Sequence, residues 1–180
     1  WPGQITGLAL TPCVMGDTVP ARMTDSQPTS EPTLEALHRR LPQLRISSHV
    51  TDRMAYARDL WPGGLLEVRA GRPAETAPLG VVWPGDEGEL LALVAFARET
   101  RLPLVPFGAG SGVCRGAVGG ARSLVVDCKR MDRVLWIAPE DNLARAQTGI
   151  VGWHLEDALN AEGLTLGHFP SSLMCSTLGG

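Results

Sequence analysis

The chain lacks any pair of cysteines close enough together to chelate a metal. Its four cysteines, Cys13, Cys114, Cys128 and Cys175, are far apart, and its four histidines are scattered. Zinc sites need clustered thiolates and imidazoles, so no metal centre is expected. The same spacing reads as reduced thiols, which points to a cytoplasmic protein. Basic residues form no stripe and do not interleave with aromatics, and the formal net charge is −3. Nucleic acid is therefore not expected as a partner. No apolar run approaches the length of a membrane-spanning helix. No lysine follows the one glycine-rich run, which excludes a Walker phosphate loop.

That run, Pro106-Phe107-Gly108-Ala109-Gly110-Ser111-Gly112, continues through Val113 and Cys114 to Gly116 and is the most informative stretch present. It follows an apolar segment, Leu102 to Val105, with the composition of a buried strand. Small residues let backbone N–H groups converge with no Cβ in the way, and converging N–H groups seat a phosphate or diphosphate. A Rossmann turn would open directly into a helix. Here Val113 to Gly120 is rich in small residues and breakers, and Ser123 to Asp127 reads as another strand. A flexible turn between two strands has the same composition, and the glycines alone do not choose between these readings.

The surrounding pattern is α/β. Thr33 to Leu41 carries Leu34, Leu37 and Leu41 at helical spacing. Residues 45–60, with Tyr56-Ala57-Arg58-Asp59, are ambiguous between loop and a short helical turn, and Gly63 to Pro78 reads mostly as loop. Gly80 to Pro84 reads as a strand. Asp86 and Glu89 have the spacing of a capping box for a helix reaching about Thr100, with Leu90, Leu93, Val94 and Ala97 on one face. Strand, helix, strand in this order predicts a small parallel sheet with a crossover helix. Arg133 to Ile137 and Leu143 to Gln147 read as an antiparallel hairpin turning at Pro139 to Asn142. Gly152 to Glu162 reads as a helix with Leu155 and Leu159 inward and Gly163 as its stop. Met23 reads as a natural start, leaving residues 1–22 as upstream or leader sequence. The chain stops in mid-turn at Gly179-Gly180, and it is read as a fragment of a longer protein.

The order of motifs carries a resemblance. It begins with a Val-Val-Trp-Pro strand and its capped helix, then Pro106-x-Gly108-x-Gly110-Ser111-Gly112, then the strand ending in Asp127. Met131-Asp132-Arg133-Val134, Gln147-Thr148-Gly149 and Gly163-Leu164 follow. Pro170-Ser171-Ser172 and Ser176-Thr177-Leu178-Gly179-Gly180 close the series. Over roughly residues 45–180 this resembles FAD-binding domains of the p-cresol methylhydroxylase type, the vanillyl-alcohol oxidase family. Gly167-His168-x-Pro170 through Gly180 is most similar to the alkyl-dihydroxyacetonephosphate synthase branch. The general layout is similar to glycolate oxidase FAD subunits and D-lactate dehydrogenases.

The resemblance implies an FAD domain of two α/β subdomains, the first complete here and the second only begun. Residues 1–44 would be an extension with a short helix, and 45–180 a cofactor domain cut off at its C-terminal side. Pro106, Phe107, Gly108, Ala109, Gly110, Ser111 and Gly112 would wrap the FAD diphosphate. Pro170, Ser171, Ser172, Ser176 and Thr177 would follow the ribityl chain and flavin, and Gly179 and Gly180 would allow close approach. Some relatives tether flavin through a histidine where Ser111 stands, and Cys175 is out of register for a second known tether. Noncovalent FAD is the expectation.

The implied activity is that of an FAD-linked oxidoreductase acting on a small D-2-hydroxy acid such as glycolate or lactate, with an unspecified electron acceptor. An ether-forming alkyl transfer and a flavin-binding module without catalysis are the alternatives. A homo-oligomer is compatible with any of them. No catalytic acid or base is assigned. Cys114 is read as a packed thiol, His168 as a backbone-bonding or cofactor-facing residue, and Trp153 and His154 as packing and capping.

Overall fold

A computed structural model describes residues 30–71 and 77–179. The readings for Met23 and residues 1–22, and the site residue Gly180, lie outside the described residues. In chain order the elements are α1 (Ser30–Arg40), β1 (Arg45–Ser47), α2 (Val50–Ala55), α3 (Pro62–Arg69), β2 (Gly80–Trp83) and α4 (Glu87–Thr100). Then come β3 (Leu104–Phe107), β4 (Leu124–Asp127), β5 (Val134–Ala138), β6 (Leu143–Ala146) and α5 (Gly152–Ala161).

The first sheet has the order β1-β2-β4-β3, with β2, β4 and β3 parallel and β1 antiparallel at the edge. Side chains of a strand alternate between faces, and this alternation divides the core in two. Val82, Leu124 and Val126 pack with Leu37 of α1 and Leu93, Phe96 and Ala97 of α4. Val81 and Val125 face the other way, onto Phe107, Tyr56 and Ala117. The parallel sheet with its crossover helix is the one expected from the sequence.

The α4 cap differs in one bond. Asp86 Oδ1 accepts from the Glu89 N–H at 2.8 Å, but Glu89 Oε2 reaches back to the Gly85 N–H at 2.7 Å rather than to Asp86. The buried face of α4 is Leu93, Phe96 and Ala97, while Val94 is exposed. Three local readings are corrected. Residues 62–69 form a helix, where glycines suggested loop; Pro62 occupies its first turn, where a missing N–H costs nothing. Arg45–Ser47 is a strand held by pairing with β2, a partner more than thirty residues away. β3 runs to Phe107, so Pro106 and Phe107 belong to the sheet, opposite Val126 and Asp127, and the free loop starts at Gly108.

β5 and β6 form the antiparallel hairpin, with an irregularity between Val134 and Trp136. α5 packs Leu155 and Leu159 against Ile150, with Val134, Ile137 and Ala146 beside them. It ends at Gly163 (φ +73°), the left-handed residue expected of a helix stop. The two regions meet at Gly149. Its N–H donates to Met131 O at 2.9 Å, and a side chain there would overlap the Cys128 carbonyl.

Candidate functional site

Parallel pairing puts the carboxyl ends of β2, β3 and β4 on one edge of the sheet, where open α/β sheets bind their ligands. The glycine loop leaves that edge from β3. Among the described residues, none of the N–H groups of Gly108, Ala109, Gly110, Ser111 and Gly112 has a hydrogen-bond acceptor. Backbone donors are rarely left without a partner unless solvent or ligand takes them. Gly110 sits at φ +71°, and a Cβ there would come within 2.7 Å of the Phe107 ring. Only glycine gives the loop this shape over that ring.

A polar knot lies beneath the loop. The Asp127 side chain is fully buried at the end of β4. It accepts from Lys129 Nζ at 2.7 Å, from the Lys129 N–H at 2.9 Å, and from the Tyr56 hydroxyl. Lys129 Nζ also donates to Gly108 O at 2.8 Å and lies 5.2 Å from the Phe107 ring centroid. The Trp83 indole N–H donates to Tyr56 Oη at 3.2 Å. Burial, with the hydrogen bond to Asp127, pushes the Tyr56 phenol up to about 12. Burial and the Asp127 charge also push the Cys128 thiol up, which suits a packed thiol and not a reactive one. The lysine thus pins the first loop carbonyl and leaves positive charge, 39 % exposed, beside five free donors.

The loop is held from its far end as well. The Leu60 N–H donates to Gly112 O at 2.9 Å. Arg115, in the left-handed region, lies 5.2 Å over the Trp61 ring and 3.4 Å from Glu67. Asp59, 3 % exposed, accepts the Trp61 N–H through Oδ1 at 2.9 Å, while its Oδ2 is buried with no partner.

The second predicted segment is fixed through its backbone. Ser176 O and Leu173 O accept from the Gly152 and Trp153 N–H groups at the start of α5, and the Gly179 N–H donates to Thr148 O at 2.8 Å. Thr148 Oγ1 returns a bond to Gly179 O at 2.7 Å. The hydroxyls of Ser171, Ser172 and Ser176 have no protein partner among the described residues, and Pro170 lies at the head of this turn, accepting from the Leu173 N–H. Thr177 Oγ1 donates to Gly179 O at 3.3 Å. Among the described residues no hydrogen bond joins this segment directly to the glycine loop; the link runs through Thr148, Gly149 and residues 127–131. Cys114, Cys175 and His168 are exposed, and no metal-binding cluster exists among the described residues.

The sequence reading missed Asp59, Asp127 and Lys129. The local signal for Asp127 was a lone acid closing an apolar strand; Tyr56, its partner, is 71 residues away. A diphosphate seat fits what is present, because five free amides and a lysine complement an anion, while the one acidic oxygen near the loop, Asp59 Oδ2, lies at its far end beside Gly112.

A parallel α/β domain with such a loop at its strand ends is a nucleotide-binding domain. The family described as "FAD binding domain" matches residues 78–180, more than half of the chain. Alkyldihydroxyacetonephosphate synthase of Caenorhabditis elegans is 38% identical over 104 residues, covering 56% of this chain and 17% of that protein. Glycolate oxidase subunit GlcD of Bacillus subtilis is 31% identical over 106 residues, covering 59% of this chain and 23% of that protein. A solved structure of alkyldihydroxyacetonephosphate synthase superposes with a TM-score of 0.74 at 29% identity, covering 88% of this chain and 29% of that one. p-Cresol methylhydroxylase gives a TM-score of 0.59 at 16% identity over 74% of this chain and 26% of its own, a likeness of fold. The chain spans less than a third of the length of each. It belongs to the FAD binding domain family of flavoenzymes, and its cofactor is FAD.

Proposed function

We propose that this chain seats the diphosphate of noncovalent FAD on the amides of Gly108 to Gly112, within an oxidoreductase that acts on a D-2-hydroxy acid. The run of unpartnered N–H groups at the sheet's carboxyl edge carries this reading. FAD supplies the redox chemistry, and the protein supplies binding, orientation and charge. Lys129 holds the loop open through Gly108 O and adds positive charge near the diphosphate. Phe107 supports Gly110 from below, and Pro106, which has no N–H, fixes the strand that presents the loop. Ser171, Ser172, Ser176 and Thr177 offer hydroxyls to the ribityl chain and flavin, with Pro170, Gly179 and Gly180 shaping their approach. The glycolate oxidase relative supports a hydroxy-acid substrate.

Alkyl transfer is the second reading, favoured by the 38% identity to a synthase and the 0.74 superposition. The full-length protein separates the two. Anaerobic D-lactate or glycolate bleaches the flavin absorbance of a dehydrogenase. An unbleached band with every hydroxy acid, together with formation of an alkyl-dihydroxyacetonephosphate product, establishes the transferase. Acid precipitation releases the yellow chromophore if FAD is noncovalent; colour retained in the pellet refutes that part.

A further inference from the structure

Asp59 is a buried acid to which the proposed function gives no role. Its carboxyl group is buried to within 3 %. One oxygen is committed to the Trp61 N–H and the other has no partner. An unsatisfied buried acceptor is costly, and native structures keep such groups where a ligand completes them. The unpaired oxygen faces the end of the glycine loop: a Cβ built on Gly112 would lie 3.6 Å from it, with no other heavy atom within 4 Å. Leu60, the next residue, donates its N–H to Gly112 O, which ties this segment to the end of the loop.

The loop thus offers donors, and beside them stands a single acceptor. A diphosphate satisfies the donors but has no hydrogen to give Asp59. A hydroxyl next to the diphosphate has one. A divalent cation would need several oxygens, and no cluster of three or more acidic, imidazole or thiol groups able to hold one exists among the described residues. We infer that Asp59 Oδ2 is a subsite for a sugar hydroxyl of the bound dinucleotide, on the ribityl chain or on the adenosine ribose. This rests on the FAD reading above. That oxygen is covered in the fold, and glycine at 112 adds no side chain over it. An alanine methyl there meets only ordinary van der Waals distance, so the position tolerates it in the fold while that oxygen is covered further.

The test is FAD affinity in the full-length apoprotein, measured by flavin fluorescence. The probes are FAD and its analogues lacking single ribityl hydroxyls or the adenosine 2′-hydroxyl. In the wild type, one analogue binds about tenfold more weakly than FAD, as expected for a hydrogen bond to a carboxylate. Which analogue it is identifies the sugar. In Asp59→Asn that penalty shrinks to about threefold, the weaker bond of a neutral partner. The FAD affinity of Asp59→Asn falls below that of the wild type. Gly112→Ala keeps the wild-type circular dichroism and binds FAD about tenfold more weakly. Equal binding of all analogues to the wild type overturns the inference, as does unchanged FAD affinity in Asp59→Asn. So does a chelator that weakens FAD binding in the wild type and not in Asp59→Asn, which would assign the oxygen to a cation. A wild-type protein that binds no FAD at all strikes the underlying FAD reading instead.

Discussion

β4 and β6 are both four residues long, and they are built in opposite ways. β4 is buried at every position, between the α1/α4 layer and the Tyr56–Phe107 side. β6 is exposed at its first three residues, and Leu135, Trp136 and Leu143 of its hairpin are open to solvent. The first region holds together by interlocked side chains. The second has only a small cluster around Ile150, Leu155 and Leu159 and leans more on backbone bonds, such as Gln147 N–H to Arg133 O and Leu178 N–H to Ile150 O. A substitution that is severe in one region therefore has little effect at the matching place in the other.

The sharpest contrast is a pair of leucines. Leu124→Ala, at 0 % exposure in the middle of the first sheet, costs about 3 kcal/mol. Leu143→Ala, at 56 %, changes stability by less than about 0.5 kcal/mol. Urea denaturation of both variants measures the difference, and equal losses would erase the distinction between the regions. Asp127→Ala comes next. It strands the Tyr56 hydroxyl and Lys129, and the half-exposed lysine moderates the loss to about 2 kcal/mol. Gly110→Ala forces a Cβ into left-handed backbone against Phe107 and costs about 1–2 kcal/mol, with weaker FAD binding.

Two titrations separate the regions more finely. Tyr56 is the only tyrosine in the chain, so tyrosinate absorbance reads it alone. Its phenol, raised to about 12, favours the neutral form in the fold. The stabilisation is complete below about pH 10 and disappears as pH climbs from there through about 12. Tyr56→Phe removes this alkaline limb; a midpoint near the usual value of about 10 would show that the knot is not formed. The smallest effect belongs to the second region. Glu156 accepts from the Thr165 hydroxyl at 2.6 Å and the Leu166 N–H at 2.8 Å, which lowers its carboxyl below the usual range. Its contribution is present above the unfolded value near 4.3 and is lost as pH falls through the lower folded value. Glu156→Gln flattens that acid limb; an unchanged acid profile would mean that these bonds do not anchor the turn after α5.

What could be read from the sequence was whatever a few neighbouring residues decide. Asp86 with Glu89, and Gly163 after α5, announce their helix ends because a cap needs only its own turn. The alternating faces of β2 and β4 follow from runs of valine and leucine flanked by turns. α3 was hidden because its glycines weigh against a helix until tertiary contacts hold it, and β1 because three residues carry too little pattern to declare a strand. The glycine loop was legible as composition, but its supports were not. Tyr56, Asp127, Lys129 and Asp59 come together only when the sheet brings distant segments to one edge.

Gly149 has a consequence for the whole arrangement. With its Cα pressed against the peptide after Cys128, there is no slack at the joint. The stretch from Thr148 to Gly179 is clamped on one side of that joint and the Lys129-braced turn on the other. The two stretches are therefore joined through a backbone contact that only glycine permits, and any side chain at 149 would part them.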